Sequence, residues 1–517
     1  MLAGHGQRRI GRLLGAFAVA ALPLAAFAQS QPPLSVIDWL DTQMDGTGST
    51  GAAAPVAEPP VATSARAPDV SVQSLEEGGP RDIGLVPPRI TGLPRDIWTG
   101  SDPERLTRMI SALPDPALPA AQSLLYTLLL AEAGAPGGKS SAGDALALTR
   151  AKKLVRLGAL DPALALMEQT GVTITSDHFD LWMQISLLTG TEDRACTVLN
   201  DAPQLTKDYA ARIFCGARAG NWDNAALTLG SAKALNLLPQ ETLNLLEHFL
   251  DPEALDAGVP LVLPRAMDPL SFRLFETIGE PVPTGNLPLQ YAVADLRDLS
   301  GWKAQIEAAE RLSRWGALPD NRLLGLYTDR RPAASGGVWD RVAALQRFET
   351  ALKTGSVEAI SKTLPPAWEG MTEARLEVTF AALFAEALRG QVLEGRAARI
   401  AADMLLLSPA YETAASMMAE DRLPVWIARG EVPPRRPSGM TEGAVYDAFA
   451  AAPVRDDLTE LVSQQRLGEA ILKTLSQLHS GSDGNAPALT EALVGLRALG
   501  LEDAARRAAL QALLLDR

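Results

Sequence analysis

The chain has 517 residues, 47% of them hydrophobic but only 5% aromatic, with 47 basic and 61 acidic side chains and a net charge of −14. A core supplied mainly by Ala and Leu suits close helix packing better than strands, which favour β-branched and aromatic residues. The acidic balance excludes a general binder of nucleic acid or anionic membranes, which needs a basic face, and 2 Cys with 4 His exclude a zinc-cluster framework.

Residues 1–28 read as a secretory signal. Arg8, Arg9 and Arg12 precede the apolar run Leu13 to Phe27, and Ala26-Phe27-Ala28 is a small-residue exit with cleavage expected before Gln29. No Cys stands directly after the apolar run, which argues against a lipoprotein, and no later segment has the uninterrupted apolar length of a membrane helix. The pattern predicts a periplasmic protein of a Gram-negative bacterium. In that oxidising compartment Cys196 and Cys215 are expected to form a disulfide, closing a loop that adds roughly 3 kcal/mol in the chain-entropy model.

Residues 29–45 hold a short apolar island, in which Val36, Ile37, Trp39 and Leu40 are candidate partner-binding residues. Residues 46–85 are rich in Pro, Ala and Gly and are expected to form a disordered linker. An apolar, Trp-bearing island on such a tether fits a docking peptide that fills a groove, or a segment that packs on its own folded body.

Everything beyond is expected to be all-α, in an N-terminal helical region (86–260), a central one (261–435) and a C-terminal one (436–517). Ser101-Asp102-Pro103-Glu104 has the spacing of a capping box. Helical stripes follow at Trp302, Ile306, Ala309 and Leu312, at Val338, Val342, Leu345 and Leu352, at Leu376, Phe380, Leu383 and Ala387, and at Leu489, Leu493, Leu496 and Leu499. The Pro-rich span from Asp251 to Pro288 reads as a boundary or a packed connector.

An internal repeat is the strongest signal. Gly158, Asp161 and Ala163, then Gly190, Asp193 and Ala195, then Gly220, Asp223 and Ala225 share one spacing, and Gly500, Asp503 and Ala505 repeat it near the C-terminus. Gly is expected to turn the chain after one helix, Asp to cap or charge the next N-terminus, and Ala to let the two helices approach. Helix pairs on a fixed step cannot each bury their own face and stack into an α-solenoid. These junctions resemble those of the tetratricopeptide family, Gly220 through Ala225 most closely. The resemblance covers residues 144–236 and, faintly, the C-terminal end; its step is shorter than the family's usual spacing of about 34, and the family's aromatic positions are mostly missing. It implies stacked antiparallel helix pairs and makes the helices bearing Cys196 and Cys215 neighbours.

Candidate chemistry is sparse. Gly134 to Ser140 lacks the spacing of a phosphate loop, since Ala133 stands where its first Gly belongs. Ser300-Gly301-Trp302-Lys303 and Lys353-Thr354-Gly355 match two motifs of penicillin-interacting enzymes, but the middle element is absent. Ser300 reads instead as an N-cap and Gly355 as a C-cap. No Glu-Ser dipeptide of the transglycosylase type occurs. Arg330 and Arg331, beside Gly336-Gly337 and a predicted helix start, are candidates for a partner's carboxylate. The expected function is a non-catalytic scaffold, without cofactors, that binds envelope proteins of a machine such as the flagellar motor or cell-wall apparatus. The alternative is a cell-wall hydrolase or transglycosylase-like enzyme using Ser300 and Lys303.

Overall fold

The computed structural model describes residues 82–251, 261–297, 299–419, 421–450 and 452–515. The signal and the apolar island lie outside them, as does the linker up to residue 81. Every regular element among the described residues is a helix, and the only β-type contacts are two isolated bridges, Ile83 with Ala133 and Val86 with Ala131. None of these helices is long and apolar enough to cross a membrane.

In chain order the α-helices are α1 (Pro88–Thr91), α2 (Pro103–Ala112), α3 (Pro119–Leu130), α4 (Ser140–Arg156), α5 (Leu160–Thr170), α6 (Ser176–Thr189), α7 (Glu192–Asp201), α8 (Tyr209–Arg218), α9 (Trp222–Ala234), α10 (Gln240–Leu250) and α11 (Pro269–Thr277). They continue with α12 (Ala292–Asp295), α13 (Trp302–Ser313), α14 (Asp320–Thr328), α15 (Val338–Thr354), α16 (Val357–Glu373), α17 (Glu377–Leu388), α18 (Gly395–Leu407), α19 (Tyr411–Met417) and α20 (Leu423–Arg429). The last are α21 (Met440–Phe449), α22 (Asp456–Ser463), α23 (Leu467–Ser482), α24 (Ala486–Ala498) and α25 (Glu502–Leu514). Sequence neighbours stack in pairs, notably α4 on α5, α6 on α7, α8 on α9, α15 on α16 and α23 on α24.

The repeated Gly positions do what a turn between stacked helices requires. Gly158, Gly190, Gly220 and Gly500 all have left-handed backbones, with φ of 81°, 78°, 82° and 77°. At each, the next amide reaches back five residues to a carbonyl: Ala159 to Leu154, Thr191 to Ser186, Asn221 to Gly216 and Leu501 to Leu496, at 2.9–3.0 Å. This is the Schellman closure of a helix C-terminus. Ala163, Ala195, Ala225 and Ala505 are buried where the paired helices meet. The aspartates stand at the second helical position and charge the N-terminus there; the N-caps are Ala159, Thr191, Asn221 and Leu501.

Seven further junctions close in the same way without carrying the sequence pattern. Four turn on Gly279, Gly316, Gly430 and Gly484, and three on Asn236, Arg375 and Gln465. The last three are the only non-glycine residues with positive φ among those described. A search for Gly cannot find them.

Other local expectations are refined. Asp102, not Ser101, caps α2, accepting the Arg105 amide at 2.7 Å, with Pro103 as the first helical residue. Gly301 is the N-cap of α13, so Ser300 is not; its hydroxyl donates to Asp295 instead. In α17 the buried face is Phe380, Ala381, Phe384, Ala385 and Leu388, and Ala387 is exposed, because a helix apolar on nearly every side does not declare its core face by period alone. Residues 82–85, assigned to the linker by composition, belong to the folded body. The Gly84 backbone exchanges two hydrogen bonds with the Gln169 side chain, and the Ile83 carbonyl accepts from the buried guanidinium of Arg150.

The core does not run only between sequence neighbours. One cluster joins residues of α2–α6 to residues of α21 and α23–α25. Helix α25 packs on α3, α18, α20 and α24, and α23 packs on α2 and α3. The Gly468 amide donates to the Ile97 carbonyl at 2.9 Å, and a Cβ on Gly468 would lie 2.3 Å from the Trp98 ring. Arg105 and Arg466 together engage the buried carboxylate of Glu469.

Candidate functional site

Three segments far apart in sequence, one helix and two turns, converge on one cleft. Its walls are the first half of α3 (Pro119, Gln122, Ser123, Tyr126), the turn from α13 to α14 (Ser313 to Asp320) and the turn from α16 to α17 (Arg375 to Thr379). The cleft has a volume of about 200 Å³ and is open to solvent.

Two hydrogen bonds hold the walls together. The Tyr126 hydroxyl donates to the Trp315 carbonyl at 2.9 Å, and Arg314 Nε donates to the Ala374 carbonyl at 2.6 Å. Gly316, at φ 65°, lets the second turn approach, since a Cβ there would sit 3.3 Å from the Tyr126 ring. Behind the cleft the buried carboxylate of Glu310 receives both arms of Arg341 at 2.8 Å and the Tyr327 hydroxyl at 2.6 Å, with Arg314 at 3.7 Å. Burial, then the Glu310 charge, pushes the Tyr327 hydroxyl well above its ordinary pKa, so it stays a donor. Burial lowers the Arg314 guanidinium from its usual value, partly offset by Glu310. The Ser313 hydroxyl is buried in the cleft wall with no hydrogen-bond partner in the protein.

A second feature is an apolar ledge on α9. That helix buries only Ala225, Leu229 and Ala232, while Trp222, Leu227 and Leu235 are 50%, 70% and 68% exposed and Leu237, just beyond it, is 42% exposed. The Trp222 ring leans on Phe249 of α10 at 6.1 Å, which fixes one end of the ledge.

The residues singled out by sequence are dispersed. Cys196 on α7 and Cys215 on α8 form the expected disulfide, with Cα atoms 4.8 Å apart, and staple two antiparallel neighbours next to the ledge-bearing helix. Val36, Ile37, Trp39 and Leu40 fall outside the described residues. Arg330 is exposed and pairs with Asp329 at 2.9 Å, while its carbonyl accepts from Gln346; Arg331 is exposed beside it. Lys303 pairs with Glu307 on its own helix at 2.9 Å, while Ser300 engages Asp295, so the two candidate catalytic groups serve different carboxylates. Lys353 pairs with Glu349, and Gly355 is the left-handed C-cap of α15. His178 bonds to Thr175 and to the Asp144 carbonyl of α4, His248 bonds to the Asn244 carbonyl of its own helix, and no cluster of three metal-binding side chains occurs among the described residues.

Neither the cleft nor the ledge was visible to sequence reasoning. The cleft needs one helix and two separate turns in register. The ledge sits on a helix whose apolar residues are spread around its circumference, so its exposed Leu residues resemble ordinary core positions. Comparison with protein-family models, with curated proteins and with solved structures yields no match.

Proposed function

We propose that this chain is an exported α-solenoid of tetratricopeptide-like helix pairs that holds another protein of the bacterial envelope in place, with residues 36–40 as a tethered second contact. The observation that carries this reading is the α9 ledge. A Trp and three Leu stand exposed on one helix and its C-terminal turn, and exposed large apolar side chains, Trp above all, are common anchors of protein contact. The disulfide between α7 and α8 supports it by stiffening the layer on which α9 rests, and a rigid support lowers the entropy lost on binding. A role of this kind requires no reacting group. Placement in the periplasm rests on the signal-like residues 1–28 and on the paired cysteines.

The test is site-specific photo-cross-linking in the native host from Leu227 and Leu235, with exposed Val392 as control. The expected result is one shared protein captured from both ledge positions, absent from Val392 and lost in Trp222→Ala. Identical capture from all three positions, or none from the ledge, overturns the reading. Recovery of the chain in the periplasmic fraction, starting at Gln29, is expected alongside; a cytoplasmic, uncleaved chain overturns the export part.

A further inference from the structure

The cleft among α3, the α13–α14 turn and the α16–α17 turn is built differently from the ledge and asks for a different kind of partner. Its wall is apolar over Pro119, Leu318, Leu376, Val378 and the Tyr126 ring, and Leu318 and Leu376 are almost fully buried even with the cleft empty. An apolar lining with a few convergent polar groups is the usual composition of a small-molecule site.

The polar groups are specific. Ser313 lines the cleft, is more than nine-tenths buried and has a hydroxyl with no protein partner, so an acceptor reached by a small rotation of that side chain would satisfy it. Next to it Arg314, which also lines the cleft, is anchored through Nε to the Ala374 carbonyl, with one arm 3.7 Å from Glu310. Across from it stands Arg375, exposed on the rim, with Asp320 on the facing turn; both have polar partners within the protein. Arg314, Arg375 and Asp320 together present one net positive charge, which matches a monoanion better than a dianion. A carboxylate accepts from a hydroxyl and a guanidinium at once, and charge-assisted bonds of this kind are the stronger ones.

We infer that this cleft is a binding site for a small ligand with an apolar body and a single carboxylate. The carboxylate sits against Ser313 and Arg314 with Arg375 closing the rim, and the apolar body lies along Leu318, Leu376 and Tyr126. Arg375 makes the inference testable without disturbing the fold. It occupies a left-handed position, φ 55°, which glycine fills at most of the other junctions of this kind. Arg375→Gly therefore removes the guanidinium while easing the backbone.

The experiment is isothermal titration of the full chain with sodium octanoate, using octanol and octylamine as controls. Octanoate is expected to bind at one site per chain, at least about tenfold more tightly than either control. Arg375→Gly is expected to weaken octanoate at least about fivefold with its melting temperature unchanged or raised, Ser313→Ala to weaken it about threefold or more, and Leu227→Glu on the ledge to leave it unchanged. Octanol binding as tightly as octanoate, or Arg375→Gly and Ser313→Ala both binding like the parent while remaining folded, overturns the inference. So does the absence of any saturable octanoate binding.

Discussion

Gln511 Oε1, on the last helix, accepts a hydrogen bond from the backbone amide of Ala120 at 2.8 Å, across 391 residues. Helix α3 has no side-chain cap of its own, because Leu118 precedes its first residue. One of the orphan amides at its N-terminus is therefore satisfied by the far end of the chain. Since α3 forms a wall of the cleft, the C-terminal helix helps to position that wall.

Gln511→Ala should cost about 1–3 kcal/mol, since it leaves a buried amide unpaired. Gln511→Glu keeps an acceptor there and places negative charge at a helix N-terminus, so it should lose less. Urea denaturation of the two variants checks the order; equal losses would show that the hydrogen bond is not what matters.

The left-handed junctions predict a graded series. Gly220→Ala meets no atom within 4 Å and should cost only the backbone term of about 1–2 kcal/mol. Gly158→Ala places its Cβ 2.6 Å from Leu312 and should cost clearly more. Gln465→Gly should have the opposite sign and stabilise by up to about 1 kcal/mol, relief of strain exceeding the added chain entropy. Thermal melts of the three, with far-ultraviolet circular dichroism to confirm helix content, decide it.

Glu469, a buried carboxyl, should contribute to acid sensitivity. Burial raises its pKa, but hydrogen bonds and charge from Arg466, with Arg105 nearby, outweigh burial and hold the carboxyl below its ordinary value. A carboxyl depressed in the folded state contributes stability that is complete above the unfolded value, near about 4.3, and is lost as pH falls through the folded one. Stability of the parent should therefore be level from pH 7 to about 5 and decline below about 4. Glu469→Gln should be less stable at pH 7 and show a shallower acid slope, measured by denaturant midpoints across pH. An unchanged slope would reject the assignment.

Reducing the Cys196–Cys215 bond, or replacing both residues by Ala, should cost about 2–4 kcal/mol. The loss should appear first in hydrogen exchange of α7 and α8, with the distant α23–α24 pair little affected. Uniform acceleration across the chain would mean that the staple supports the whole body and not one layer.

Much of the architecture was legible because it is local. A Gly-to-Asp-to-Ala spacing encodes a left-handed turn, a charged helix start and a small contact, and all three lie within six residues. The stripes on α13 and α24 were legible for the same reason, and so was the disulfide, since α7 and α8 are adjacent. The turns at Arg375 and Gln465 escaped notice because their left-handed backbone is imposed by the packed helices on either side, at a cost that side-chain identity does not advertise.

By itself the sequence determined the helical class, four of the repeated junctions and the Cys196–Cys215 pairing, since each depends on backbone preference or on helices consecutive along the chain. Only the tertiary structure decided that Gln511 reaches Ala120, that Trp98 lies on Gly468, and that Ser313, Arg314 and Arg375 share one cleft. Those relationships join segments tens to hundreds of residues apart, whose contacts are set by how many helix crossings add up, and no short-range pattern in the chain records that sum.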